Sequence, residues 1–180
     1  MATPQLHLIG EIKSAKNFES NRLFCKWEFK YGKHLTVIDG NTEGETFEEE
    51  KPDKETAFYF DHPFDIHFKV ESMRGWPKVV VEVWEVADDG KYFIAGYGTG
   101  TIPCSPGSHN IEIKCWRPKD QTWYGYLRES LLGVRSELAT KEMLLSSMER
   151  NLFESETTGS ITVDIGIIAK DFELYGIKLS

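Results

Sequence analysis

Phe64-Asp65-Ile66-His67-Phe68-Lys69-Val70 alternates an apolar with a polar side chain at every step. Successive side chains of an extended chain point to opposite faces, so this run reads as a strand with one dry and one wet face. The same period of two spreads outward from it. Upstream, Leu23, Cys25, Trp27 and Phe29 alternate against Lys26, Glu28 and Lys30, and Leu6, Leu8, Gly10 and Ile12 share one face of a first strand. Downstream, Val79, Val81 and Val83 repeat the pattern beside Glu82, and Ile161, Val163, Ile165 and Ile167 close the series. Turn signals separate the runs at Asp39-Gly40-Asn41, Asp88-Asp89-Gly90 and Ser105-Pro106-Gly107. Short half-buried strands at this spacing predict an all-β, antiparallel β-sandwich.

Two stretches break the period. Asn41 to Glu55 is dominated by carboxylates and has no apolar repeat, so an acidic loop or solvated hairpin tip is expected over 43–55. Trp123 to Arg150 has helical spacing: Trp123, Leu127 and Leu131 form one stripe that Gly133 can stop. A second helix from Ser136 would bury Leu138, Leu145 and Met148. The expectation is a single domain over 1–180, with a short helical insertion at about 120–150 before the last strand. Neither an internal repeat nor a linker divides it.

A chain of 180 residues can bury a core that needs neither disulfides nor metal. Met1 to Gly10 lacks the basic start of a secretory signal, and the most apolar run, Val79 to Val86, is far too short to span a bilayer. The three cysteines, Cys25, Cys104 and Cys115, are an odd number without a CxxC pair, which points to a reducing, cytoplasmic compartment. A net charge of −8 opposes nucleic acid and anionic lipid as partners and favours basic protein surfaces.

The constellations that could carry chemistry read as structure. Gly96-Tyr97-Gly98-Thr99-Gly100 lacks the third fingerprint glycine, because position 101 is Thr101, and Pro103 precludes the helix start that meets a phosphate. Glycines at a tight strand crossing or bulge explain it better. Asp65 and His67 share the wet face of their strand, with His62 close by, but no nucleophile elbow accompanies them; a surface hydrogen bond or a cross-strand pair is expected. Glu43, Glu45, Glu48, Glu49 and Glu50 form a solvated face, and the histidines and cysteines lack zinc-ligand spacing. No catalytic residue, metal, cofactor or small-molecule substrate is expected. Trp76, between Gly75 and Pro77, and Trp116, before Arg117-Pro118, sit at strand ends, where tryptophans act first as core lids and otherwise as binding anchors. Trp84 falls opposite Val79, Val81 and Val83, so it is expected either beneath the helical stretch or in an interface.

These same residues carry a family resemblance. His62-Pro63-Phe64-Asp65-Ile66-His67-Phe68 resembles a B9-domain motif, as do Gly75-Trp76-Pro77, Val83-Trp84 and Ala95-Gly96-Tyr97-Gly98. Ile102-Pro103, Ser105-Pro106-Gly107 with His109, and Trp116-Arg117-Pro118 continue the match, which Leu23-Phe24-Cys25-Lys26-Trp27 opens and Asp171-Phe172 and Tyr175-Gly176 close. The resemblance leaves out 43–55 and about 135–157. It implies a fold related to the calcium- and lipid-binding C2 sandwich, with most motif residues structural and Trp76 and Trp84 as interface candidates. It also implies a non-catalytic scaffold of the Meckel-syndrome (tectonic-like) complex at the basal body and ciliary transition zone. There the B9 proteins associate with one another and gate the entry of membrane proteins into the cilium. The alternative is a peripheral domain that binds lipid headgroups without calcium, with an aromatic-tipped loop inserting weakly. Calcium-dependent C2 domains place carboxylates at positions that hold Glu85, Ala87 and Phe93 here, so only Glu85 could serve. Asp88 and Asp89 read as turn residues, and the partner loop, Lys16 to Arg22, offers little beyond Glu19.

Overall fold

The computed structural model describes residues 3–52, 56–118 and 155–177. Its strands are β1 (Gln5–Lys16), β2 (Arg22–Lys30), β3 (Leu35–Gly40), β4 (Glu43–Glu45), β5 (Glu49–Glu50), β6 (Ala57–Val70), β7 (Lys78–Val86), β8 (Tyr92–Thr101), β9 (Gly107–Pro118) and β10 (Ser155–Lys170). A 3-10 turn, Glu173–Tyr175, follows the last strand. The ladder runs β3-β6-β1-β10-β9-β8-β7-β2-β4, with β5 also on β2. The strand pairs are antiparallel.

The ladder nearly breaks at one place. Between β8 and β9 only Tyr97 meets Trp116 and Gly98 meets Cys115. There the sheet folds over, and its halves face each other: the Phe29 ring of β2 lies 5.0 Å from the Phe64 ring of β6. The result is the antiparallel sandwich that the period of two demands. One sheet is β3-β6-β1-β10-β9 and the other is β8-β7-β2 with β4 and β5. Leu6, Leu8, Ile66, Phe68, Cys25, Val81, Val83, Val163 and Ile165 fill the space between them. Gly98 and Gly100 keep this interior narrow, since a Cβ at Gly98 would lie 2.6 Å from the Ile113 side chain.

The acidic stretch departs from expectation. Within 43–55 the chain forms β4 and β5, both paired with β2. Backbone groups rather than side-chain burial make this pairing. The Thr46 N–H donates to the Cys25 carbonyl at 2.9 Å, and the Cys25 N–H donates to Thr46 Oγ1 at 3.0 Å. Glu43 and Glu45 point to solvent on either side of Gly44, so no apolar period signals the strand. The helical insertion expected at about 120–150 lies outside the described residues.

Cys25 and Cys115 are buried and Cys104 is exposed. Burial pushes both core thiols up, Cys115 to about 12 and Cys25 well above its ordinary range. Only a thiolate reacts readily, so Ellman's reagent should titrate one fast thiol in the native chain and all three after unfolding. Cys104→Ser should abolish the fast phase. Fast reaction of a second thiol would show that the core opens at that site.

Candidate functional site

The outer face of the first sheet carries the Asp65–His67 strand, and the two residues do not form a dyad. Asp65 is paired with His7 of β1, while His67 Nε2 lies 3.1 Å from Gln5 Oε1. The His7 and His67 rings stack at 5.0 Å. This is a cross-strand polar ladder on an open face. His62 does not join it. It has the parity of Phe64 and Ile66 and so points to the opposite, core-facing side of β6, where its half-buried ring lies 5.8 Å from the Trp27 ring and burial lowers its pKa. Pro63 sits where β6 has only β1 as neighbour, a position that tolerates a missing backbone donor.

The other motif residues hold chain crossings together. Gly75 has φ +77°, and a Cβ there would lie 2.5 Å from the Cα of Gly32, so only glycine permits the approach. Next to it, Trp76 Nε1 donates to the Ile102 carbonyl at 3.1 Å, and its ring meets the buried Phe172 edge-on at 6.5 Å. Pro77 leads into β7. Gly96, Tyr97 and Gly98 lie on β8 without a following helix, the glycines toward the core and Tyr97 outward against Trp116 at 6.0 Å. Pro106 and Gly107 turn the chain into β9, where His109 Nε2 lies 2.9 Å from the Ser105 carbonyl oxygen. Arg117 pairs with Glu156, and Pro118 meets Ser155 at the end of the same ladder.

One end of the sandwich is the place where a C2 fold would gather calcium. Asn17, Glu19 and Ser20 do meet Glu85 there, around a cleft of about 320 Å³ that Arg117 and Glu156 also line. The donors do not fit a hard divalent ion, which wants six or more oxygens. Glu156 already accepts from Arg117 Nε. Asp89 is bound to Lys91, whose hydrogen bonds hold its carboxyl below the usual range, within the turn that Gly90 N–H closes on the Ala87 carbonyl. Among the described residues, no group of three or more His, Cys, Asp or Glu side chains is placed to hold a metal. Millimolar calcium is therefore expected to leave the melting curve where equimolar magnesium leaves it. A calcium-selective rise in melting temperature that Glu85→Ala removes would overturn this.

The outer face of the second sheet is different in kind. Trp84 lies opposite the core valines, stacks on Phe24 at 6.3 Å and sits under the Lys26 ammonium at 5.3 Å. It packs with Trp116 against Val80, Ile94 and Tyr97, a second apolar cluster outside the main core. The helices expected to cover Trp84 lie outside the described residues. Tyr92 meets Phe24 edge-on at 5.6 Å, and Phe47, between β4 and β5, is 85% exposed. Phe47 and Tyr92 escaped the reading of the sequence. The signal that could have found Phe47 is a lone aromatic ring within a carboxylate run.

The sequence model of the family described as "B9-C2: Ciliary basal body-associated, B9 protein" matches residues 6–168. The chain is 32% identical to the Danio rerio B9 domain-containing protein 2 over 174 residues, which are 97% of this chain and 98% of that protein. The Homo sapiens B9 domain-containing protein 2 is 30% identical with the same coverage. The Mus musculus B9 domain-containing protein 1 is 26% identical over 97% of this chain and 88% of its own. Among solved structures, the C2A domain of plant extended synaptotagmin 1 aligns with a TM-score of 0.44 and 12% identity, over 94% of this chain and 96% of that one. With a family match across most of the described sandwich, the chain belongs to the B9 family of ciliary basal body-associated proteins.

Proposed function

We propose that this chain is a non-catalytic adaptor at the base of the cilium. It associates with other B9-domain proteins in the transition-zone complex that supports cilium assembly and gates ciliary membrane proteins. The observation that carries the reading is similarity over 97% of this chain and 98% of its relative, end to end rather than confined to one motif. The surface supports it: the polar residues that could have suggested catalysis are spent on a cross-strand ladder, and the outward aromatics suit contact with protein. The lipid-headgroup alternative is disfavoured by a net charge of −8, which repels anionic membranes. No helix among the described residues is long and apolar enough to cross a bilayer.

Co-expression with the other B9-domain proteins, B9 domain-containing protein 1 among them, tests the reading. A complex that survives size-exclusion chromatography at micromolar concentration is expected, and separate elution of the chains would remove the proposal's support.

A further inference from the structure

Phe47 is exposed without being loose. Before it, Thr46 is 5% exposed and is tied to Cys25 through its backbone N–H and its hydroxyl. After it, Glu48 pairs with Arg22. A phenyl ring fastened on both sides and held out into water serves no end in the isolated fold. Across a groove of about 450 Å³ it faces Phe24, Trp84 and Tyr92, the last 59% exposed. Lys26 and Glu45 line this groove and also a second cleft of about 400 Å³ along β2, so the two adjoin. The second cleft is lined by Glu28, Glu43, Glu45 and Glu82 with Lys26; Lys26 lies 3.9 Å from Glu45, and Glu28 is paired with Lys30 of the same strand, which leaves an excess of carboxylates over cations. One half is thus aromatic and the other carries a net acidic excess.

We propose that this groove binds an extended segment of a partner protein in which a bulky apolar side chain is flanked by lysine or arginine. The apolar side chain enters between Phe47 and Tyr92, and the neighbouring cation lies over Glu43 and Glu45. Rigid aromatic side chains of this kind act as binding anchors, because little entropy is lost when they are covered. Charge complementarity names the flanking residues: a neutral or acidic segment would dehydrate the acidic half without bringing the cation that offsets its excess negative charge. The same carboxylates disfavour a bilayer, since Glu45 and Glu48 flank Phe47 and would enter the headgroup layer with it. The proposal rests on the adaptor reading above and names the kind of segment the adaptor holds.

The test is selection of a phage-displayed random peptide library on the full chain, followed by anisotropy of a labelled recovered peptide. Enriched sequences should carry an aromatic residue or leucine next to lysine or arginine. Phe47→Ala should weaken the peptide at least about tenfold, while its melting temperature stays at the wild-type value. Glu43→Lys with Glu45→Lys should abolish binding, and added salt should weaken the wild-type interaction. Enrichment of acidic or uncharged peptides, no enrichment, or an affinity indifferent to Phe47→Ala would overturn the proposal. So would a melting temperature lowered by Phe47→Ala, which would make the ring part of the fold. Flotation of the chain with phosphatidylserine vesicles, lost in Phe47→Ala, would reassign the groove to a membrane. If the wild-type chain fails to co-elute with B9 proteins yet selects basic-apolar peptides, the adaptor reading falls and the groove stands. If it co-elutes but selects no such peptides, the reverse holds.

Discussion

Gly10→Ala is expected to lower stability by roughly 3 kcal/mol, the upper part of the range for overpacking a tight site. Gly10 lies mid-strand in β1, paired with Ile165 of β10 on one side and Phe64 of β6 on the other. A Cβ there would fall inside contact distance of the Asp164 carbonyl oxygen, 2.9 Å from the Ile165 Cα and 2.9 Å from the Phe64 ring. Two of these three obstacles are backbone and cannot rotate away. The strands must separate or the Phe64 ring must leave its place against Phe29. Gly166→Ala, on the neighbouring strand, is the internal control. Its Cβ would meet only the Ile9 carbonyl oxygen, at 3.4 Å, and the lost freedom of the unfolded chain can stabilise by up to about 1 kcal/mol. Thermal melts followed by far-UV circular dichroism should separate the two variants clearly. Equal melting temperatures would mean that β1 and β10 adjust to each other more freely than the packing indicates.

The contrast between these two glycines also marks what could be read from the sequence. Strands β2, β6, β7 and β10 were legible because each has one face in the core, and an apolar side chain then recurs at every second position. The face of each residue followed from parity alone, which is how Trp84 could be placed opposite Val79, Val81 and Val83. Strands β3, β4 and β5 were not legible. They are short, mostly exposed and joined to the sheet through backbone groups, so no period betrays them. The same holds for the candidate site. Motif residues such as Gly75 and Trp76 were visible because turns and strand ends restrict residue type. The groove was hidden because it depends on bringing Phe47, from an acidic stretch, beside Tyr92, at the start of β8. A local reading cannot see a groove lined by residues so far apart in the chain. It allowed cross-strand pairing for Asp65 and His67 but could not name their partners, His7 and Gln5, which lie on another strand.

Trp27→Ala is expected to have the largest effect of the single substitutions considered, a loss of about 3–5 kcal/mol. The indole is 5% exposed and bridges the two sheets, with ring centroids 5.9 Å from Phe29 on its own strand and 5.9 Å from Phe64 on the facing one. It also supports β4, because Gly44 lies directly over it; a Cβ there would come 2.7 Å from Trp27 Cζ2. Removing the ring opens a cavity between sheets whose strands are each held by their own ladders, so collapse can only be partial. Trp27→Phe should cost far less, because it leaves the smaller cavity and keeps an aromatic ring among Phe29, His62 and Phe64. Both variants delete the buried Nε1, which has no acceptor among the described residues and, as an unmet buried donor, costs about 1–3 kcal/mol in the wild type. The difference between them therefore reads ring volume alone. Urea titrations should therefore show a large drop in midpoint for Trp27→Ala and a small one for Trp27→Phe, at a common slope. If the two variants lost the same stability, the ring's volume would not be what joins the sheets.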